Sequence, residues 1–289
     1  MAGVDERVVI VTGAGGGGGL GREYAKSLAA RGAYVVVNDL GGARDGSGAG
    51  SEMADVVVSE IKATGGEAVA NYDSVATREG ASALIQTALE TFGAVHGVVS
   101  NAGILRDSSF ANMTDEQWDA VIKVHLYGGY NVIREAWPHF RKEKFGRIVV
   151  ATSTSGLYGN FGQANYGAAK MGLVGLINTL ATEGAKHGIT ANAVAPLAAT
   201  RMTEDVAPAE FLAQLPASFV APFVTHLMSE ECTDSAAVLV VGGGQVQRVQ
   251  QFANAGVRFA LPPTSDELAD RWADIIDMSA AVPGKNPLG

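Results

Sequence analysis

Arg7-Val-Val-Ile-Val-Thr-Gly-Ala-Gly-Gly-Gly-Gly-Gly-Leu-Gly21 decides the fold. Arg7–Val11 is a short apolar run that reads as a buried strand. Arg22–Ala30 reads as a helix ended near Gly32. A glycine-rich turn between a first strand and a first helix lets the backbone bend tightly and approach a pyrophosphate, whose charge the helix N-terminus favours. Seven glycines fall between positions 13 and 21. That is more than the turn requires, and the surplus reads as slack.

Working outward, short apolar runs alternate with longer amphipathic stretches. Strands are expected over Tyr34–Asp39, Glu67–Tyr72, Gly97–Ser100, Arg147–Thr152, Thr190–Ala195 and, last, Ala237–Val241. Helices are expected over Glu52–Ala63, Ala81–Phe92, a long stretch from Thr114 to about His139, and Ala164–Lys186. Thr114-Asp-Glu-Gln117 has the form of a capping box that opens the third of these. Near-continuous apolar strands separated by helices mean a parallel sheet covered on both faces. The expected fold is therefore α/β, a Rossmann-type doubly wound parallel sheet in three layers, over residues 1–245. A C-terminal extension, 246–289, follows, with little strand character beyond Gly244. In it Ser265 would cap a helix whose Leu268, Trp272, Ile275 and Ile276 form one apolar face. That face is expected to pack on the same subunit, with a subunit interface as the alternative. Gly41–Gly50 is a glycine-rich loop after the second strand, read as a flexible surface loop, or else as a lid over one end of a bound nucleotide.

Composition narrows the function classes. The 289 residues are 47% hydrophobic, and 21 basic against 30 acidic side chains give a formal charge of −9. An acidic balance argues against nucleic acid as a partner. No apolar run approaches the roughly 18–20 residues that span a bilayer. Cys232 is the only cysteine, which fits a reducing compartment. The N-terminus lacks a signal-peptide pattern, and the final Asn-Pro-Leu-Gly matches no peroxisomal address. A cytoplasmic enzyme without a metal is the expectation.

The chemistry-bearing constellation is Ser153…Tyr166-Gly-Ala-Ala-Lys170. On a helix a spacing of four puts the phenol and the ammonium on one face. A free tyrosine has a pKa of about 10. A nearby cation would lower it, to suit proton exchange with a carbonyl or alcohol oxygen near neutral pH. Ser153 would hold that oxygen. Asp39 closes the second strand, 18 residues after Gly21. A carboxylate there accepts bonds from an adenosine ribose and repels a 2′-phosphate, which favours NAD over NADP; otherwise it caps a turn. Asp73-Ser74 and Ser100-Asn-Ala-Gly103 follow the third and fourth strands, at the carboxyl ends where open α/β sheets bind ligands.

Taken in this order, the motifs resemble the short-chain dehydrogenase/reductase family, over about residues 7–245. Within it, VVVNDLGG (35–42), AVANYDSV (68–75), NAGILRD (101–107) and YGNFGQANY (158–166) are most similar to the (3R)-hydroxyacyl-CoA dehydrogenase units of multifunctional enzymes type 2 and to single-domain actinobacterial dehydrogenases. The resemblance implies that Tyr166 is the acid/base, that Ser153 holds the substrate oxygen, and that Lys170 lowers the tyrosine pKa and binds the nicotinamide ribose. It places Gly13, Gly19, Leu20 and Gly21 at the pyrophosphate, Asp39 at the adenosine ribose, and Asp73 and Ser74 at the adenine. Asn101 and Gly103 fall beside the nicotinamide, and Thr200 at its carboxamide. It also implies a homodimer or homotetramer built through the two long helices.

Three departures stand out. The glycine turn is two residues longer than the family pattern, leaving its alignment open between Gly15 and Gly19. His125 stands where most members have a relay asparagine; it either holds the relay water or bonds a backbone carbonyl. Pro196-Leu197 replaces the usual Pro-Gly. The expected function is NAD-dependent oxidation and reduction of a secondary alcohol/ketone pair, with a (3R)-3-hydroxyacyl-CoA as substrate. A hydroxysteroid dehydrogenase and a 3-ketoacyl reductase are the alternatives.

Overall fold

The computed structural model describes residues 3–16, 18–200, 203 and 208–286. Gly17 in the glycine turn, Arg201 and Met202 beside Thr200, and the terminal Pro287-Leu288-Gly289 lie outside the described residues. Two compact units are present, Met1–Gln247 and Arg248–Gly289.

The first unit is built on strands β1 (Val8–Thr12), β2 (Tyr34–Asn38), β3 (Glu67–Asn71), β4 (Gly97–Ser100), β5 (Gly146–Ala151), β6 (Ile189–Leu197) and β7 (Val238–Gly242). All neighbouring pairs among these seven are parallel. With β8 (Gln245–Val249) at one edge, the order is β3-β2-β1-β4-β5-β6-β7-β8. The chain reverses direction across the sheet after β3, so the carboxyl ends of β1 and β4 flank the crevice where such sheets bind ligands.

Val8–Thr12 is buried along its whole length, as a strand covered on both faces must be. Alternation sends Val9 and Val11 to one face. There they join Val35, Val37, Tyr24 and Leu28 of α1 (Leu20–Ala29), Val57 and Ile61 of α2 (Glu52–Ala63), and Val224 and Leu227 of a helix over Ala221–Leu227. The opposite face is covered by α3 (Arg78–Phe92), by the long helical run from Asp115 to Glu143, and by a helix over Ala164–Gly184.

That long run is the first difference from expectation. It extends to Glu143 and is not uniform: α4 (Asp115–Ile122) passes into a π-helical turn, Lys123–Tyr127, before α5 (Gly128–Glu143). The expected capping box is present, with Gln117 N–H donating to Thr114 Oγ1 and Thr114 N–H to Gln117 Oε1. The π turn carries His125 and has no periodicity signal of its own; such turns occur mostly at functional sites. Next come α6 (Thr154–Tyr158), α7 (Ala164–Gly184), a short α8 (Ala209–Leu212) and α9 (Ala221–Leu227).

A second correction concerns the end of the sheet. Ala237–Val241 was expected as the last strand, yet β8 follows across Gly243-Gly244, both at positive φ (56° and 77°). A connection this short can only join antiparallel strands. Gln245–Val249 reads QVQRV and is almost wholly exposed, so an edge strand here leaves no apolar alternation to detect.

In the second unit β9 (Phe252–Ala253) pairs antiparallel with β10 (Val282–Pro283). Two helices are present, α10 (Ser265–Asp270) and α11 (Trp272–Ile276). The cap is Thr264, not Ser265: Thr264 Oγ1 accepts from Glu267 N–H while Glu267 Oε2 accepts from Thr264 N–H. Arg271 divides the expected single helix. Within this unit Leu268, Trp272 and Ile276 form no buried core of their own. Asn254 Nδ2 donates to the carbonyls of Ile275 (2.9 Å) and Asp277 (2.8 Å), so side-chain bonding rather than a buried core organises this segment.

Candidate active site

The glycine turn is fastened to the end of β4. Thr12 Oγ1 accepts from the backbone N–H groups of Asn101 (3.0 Å) and Ala102 (3.1 Å). Asn101 Nδ2 donates back to the carbonyls of Thr12 (3.2 Å) and Gly13 (3.1 Å). Helix α1 begins at Leu20 with Gly19 as its N-cap. Gly21 is buried. A Cβ there would lie 2.3 Å from Gly13 O and 2.8 Å from Asn101 Nδ2, so only glycine lets the helix approach the turn this closely.

These elements border a cavity of about 400 Å³, within the range of small-molecule sites. Gly13, Gly19, Leu20, Asp39, Asp73, Ser74, Asn101, Gly103 and Thr200, all expected as cofactor contacts, line it. Gly21, Tyr166 and Lys170 do not. Asp39 has both carboxylate oxygens engaged: Oδ2 accepts from Gly15 N–H and Oδ1 from Gly41 N–H, each at 2.8 Å. It therefore ties the glycine turn to the following loop while facing the cavity. The turn-cap reading is realised in these two bonds, and the side chain also lines the cavity.

Gly41–Gly50 is not a free surface loop, contrary to the favoured expectation. Its neck is closed by Gly50 N–H on Leu40 O (2.9 Å). Its tip is docked by Leu105 N–H on Arg44 O (3.0 Å) and Arg106 Nε on Asp45 O (2.9 Å). Gly42, Ala43, Arg44 and Gly46 line the cavity from that side. The lid reading fits this placement.

Sequence reading missed several cavity residues. Asn38 is buried at the end of β2 and donates to Asn71 Oδ1 (2.8 Å) and Asp73 O (2.9 Å); Asn71 Nδ2 then donates to Asp73 Oδ2 (2.7 Å). An Asn closing an otherwise apolar strand was the available signal. Arg106 and Lys123 also line the cavity; Arg106 lies inside the NAGILRD stretch but was not singled out there.

Ser153, Tyr166 and Lys170 come together beyond the end of β5. Ser153 N-caps α6, with Ser155 N–H donating to Ser153 Oγ (3.1 Å), and its hydroxyl stands near enough to the Tyr166 phenol to favour the phenolate. Tyr166 and Lys170 follow on the first two turns of α7. Lys170 is buried; its Nζ donates to Ala151 O at 2.6 Å and lies 5.4 Å from the centre of the Tyr166 ring. Burial pushes the lysine down to about 7. Burial pushes Tyr166 up to about 12, with the Asp107 charge adding to it and the Ser153 hydroxyl opposing it. The expected lowering of the tyrosine pKa is thus reversed here. The ammonium is directed at a carbonyl rather than at the phenol oxygen, and desolvation outweighs it.

His125 is buried in the π turn and packs edge-on against Tyr166, ring centres 5.1 Å apart and planes at 85°. Its Nε2 lies 3.0 Å from Ile104 N and 2.9 Å from Ile104 O, the expected backbone contact. Its Nδ1 is buried without a partner. Burial, reinforced by the Lys170 charge and opposed by the Ile104 bond, holds its pKa down to about 3, so the ring is neutral at ordinary pH. Gly103 makes room for it: a Cβ there would sit 2.3 Å from His125 Cε1. Among the described residues no cluster of three or more His, Cys, Asp or Glu side chains could hold a metal ion, and no helix is long and apolar enough to cross a membrane.

The arrangement joins a nucleotide-sized cavity, lined by a glycine turn and a carboxylate, to a serine–tyrosine pair backed by a buried lysine. The family model for short chain dehydrogenases matches residues 7–210. A Mycobacterium tuberculosis protein described as a short-chain type dehydrogenase/reductase is 68% identical over 281 residues, covering 97% of this chain and 98% of that one. Mouse peroxisomal multifunctional enzyme type 2 is 50% identical over 280 residues, 96% of this chain but 37% of that enzyme, so the chain spans about a third of its length. A hydroxyacyl-CoA dehydrogenase of Mycobacterium tuberculosis is 36% identical, with 97% and 90% covered. The crystal structure of a short chain dehydrogenase from Mycobacterium avium superposes with a TM-score of 0.82 at 44% identity, covering 94% of this chain and 95% of that one. The chain belongs to the short-chain dehydrogenase/reductase family, and is an oxidoreductase of that family.

Proposed function

We propose that the protein is an NAD-dependent dehydrogenase of secondary alcohols acting on (3R)-3-hydroxyacyl-CoA. The observation that carries the reading is the gathering of Ser153, Tyr166 and buried Lys170, with Lys170 Nζ 5.4 Å from the Tyr166 ring centre and Ser153 close enough to act on the phenol. Asp39, facing the cavity, supports NAD over NADP, because a carboxylate fixed by two backbone N–H groups keeps lone pairs for ribose hydroxyls and repels a phosphate. The residues fit a dinucleotide: glycine-turn backbone at the pyrophosphate, Asp39 at the adenosine ribose, Asp73 and Ser74 at the adenine, Asn101, Gly103 and Thr200 toward the nicotinamide. When bound, the cofactor supplies the nicotinamide carbon that takes or gives the hydride. The acyl-CoA substrate is supported by the hydroxyacyl-CoA dehydrogenase relative.

In this mechanism Ser153 holds the substrate oxygen and Tyr166 moves its proton. With its pKa pushed up, Tyr166 stands protonated at neutral pH, the form that donates to a ketone oxygen. Oxidation needs the phenolate and gains as pH rises. Lys170, changing charge near pH 7, sets how readily that phenolate forms. His125, neutral and wedged against the tyrosine ring, holds it in place and offers Nδ1 to the proton path. We further place the enzyme in the cytoplasm, where its buried free Cys232 stays reduced. We also infer a homodimer or homotetramer through α5 and α7. Their outer faces enclose a groove of about 440 Å³ lined by Tyr130, Ile133, Trp137 and Leu176, apolar surface of the kind that subunits cover.

The decisive assay is NADH formation from a (3R)-3-hydroxyacyl-CoA. Wild type should turn over, faster at pH 9 than at pH 7, and Tyr166→Phe should lose about 10³-fold or more while keeping its fold. Unchanged activity in that variant sinks the mechanism. Asp39→Ser should cut the NAD/NADP preference in kcat/KM by about tenfold or more, and a wild type that already prefers NADPH removes Asp39 from its role. Sedimentation velocity should show a dimer or tetramer, and a Tyr130→Glu/Leu176→Glu variant should sediment as a monomer.

Lys170 gives a stability test. An unfolded chain keeps that proton up to about pH 10, the folded chain only up to about 7. Between those values the unfolded state binds the extra proton, so the fold gains stability as pH rises. Lys170→Met removes the penalty. It should raise the thermal midpoint most at pH 6–7, by an amount on the order of a few kcal/mol, with the advantage shrinking toward pH 10, while activity is lost. A midpoint that falls at every pH would mean the bond to Ala151 outweighs desolvation.

A further inference from the structure

Three aromatic side chains stand in solvent on segments that neighbour candidate-site residues in the chain. Phe161 is 89% exposed, Phe110 79% and Tyr158 70%, and no other large apolar side chain in the first unit reaches 60% among the described residues. Tyr158 and Phe161 sit on the segment that joins Ser153 to Tyr166, and Phe110 on the segment after β4, which Ser108 N–H ties to Gly162 O. Tyr158 is the last residue of α6, the helix that Ser153 caps. At 1.5 Å per residue, it lies only about 6–8 Å along the helix from that serine. Phe161 precedes α7, which carries Tyr166, and Phe110 opens a one-turn 3₁₀ helix after β4.

The frame beneath them is well tied. Ser108 N–H donates to Gly162 O (2.9 Å), Gln163 Nε2 to Asp107 Oδ2 (2.8 Å), and Asn165 Nδ2 to Arg106 O (3.1 Å). Asn165 is fully buried and its Oδ1 accepts from Tyr166 N–H (2.7 Å). The same bonds that place Tyr166 therefore place the aromatic rim. A rigid polar frame that presents three unpartnered aromatic rings carries binding area rather than packing.

We infer that Phe110, Tyr158 and Phe161 form the subsite for the apolar tail of the substrate, so that this rim sets chain-length preference. The inference rests on Ser153 and Tyr166 as the reacting pair. With the reacting oxygen held between them, a substrate that extends along α6 and the start of α7 lays its next carbons across the rim. Continuity with the reacting pair, through α6 on one side and the start of α7 on the other, is what selects a substrate tail over a second protein as the occupant. A short substrate ends before the rim and a long apolar one reaches it. Each buried methylene then adds affinity.

The test uses the full chain with NAD present, and calorimetric titration with butanoyl-CoA and decanoyl-CoA, which bind without turnover. Wild type should bind decanoyl-CoA the more tightly, and Phe110→Ala/Phe161→Ala should reduce the decanoyl-to-butanoyl affinity ratio about tenfold. Both residues are exposed, so the variant should keep the wild-type thermal midpoint. Equal affinities in wild type, or a ratio unchanged in the variant, overturns the inference. So does a variant that sediments as a smaller species, since a second copy would then be what covers the rim. A wild type that shows the preference but forms no NADH from any 3-hydroxyacyl-CoA leaves the subsite standing and refutes the redox reading instead.

Discussion

Thr12 Oγ1, taking hydrogen bonds from two successive backbone N–H groups after β4, is the contact on which the rest of the site depends. A parallel sheet has no hairpins to hold its strand ends together; each strand end opens into its own loop. The glycine turn and the Asn101–Gly103 segment belong to neighbouring strands far apart in the chain, and each leaves backbone groups that a buried environment would penalise. Thr12 and Asn101 satisfy them reciprocally. Asn101 fixes the carbonyl of Gly13, Gly21 lets α1 close on that same carbonyl, and Gly103 is left positioned against His125. From there the chain of contact runs through the His125 ring to Tyr166. The glycine-turn cavity and the Ser153–Tyr166–Lys170 cluster are thus one stitched surface rather than two neighbouring sites.

Desolvation is the second organising force. Three ionisable groups, His125, Tyr166 and Lys170, are each driven toward the neutral form by burial. The fold holds a lysine whose proton is loosely kept, beside a tyrosine whose proton is tightly kept. That ordering is the reverse of what their free pKa values and sequence spacing imply. It leaves proton transfer sensitive to any charge brought next to the phenol, since in a low-dielectric pocket a single added charge shifts a pKa strongly.

Much of this was legible in the chain. Buried parallel strands announce themselves as unbroken apolar runs, so β1 to β7 were placed within a residue or two at most of their ends. The glycine turn, Asp39 and the Ser153–Tyr166–Lys170 spacing are local signals, and they led to residues that do lie at one end of the sheet. What was not legible had no periodic or local trace. The π turn at Lys123–Tyr127 keeps helical spacing on both sides. Strand β8 is exposed on both faces, so it shows no alternation. The docking of Gly41–Gly50 ends on the backbone carbonyls of Arg44 and Asp45, and a carbonyl accepts in the same way whatever side chain its residue carries. The sign of the tyrosine shift depends on where the lysine ammonium is aimed, and a spacing of four fixes only the shared face.

The charge balance of the cavity follows from the same distinction between bulk and local. A chain of formal charge −9 would repel a dinucleotide if its charges acted together. Exposed charges farther than about 8–10 Å are screened at physiological ionic strength, so the anion responds to what lines the cavity. There the glycine turn offers backbone N–H groups at a helix N-terminus, and Arg106 and Lys123 add positive charge. Arg106 is anchored through Nε on Asp45 O. That anchor is one of two tip contacts of the Gly41–Gly50 loop, beside Leu105 N–H on Arg44 O, so a cation facing the cavity also helps hold the loop. Loss of the Arg106 side chain would therefore weaken the local field and remove one of the loop's two tip contacts. Anion affinity and loop closure at this site are coupled by construction, whatever the net charge of the surface around them.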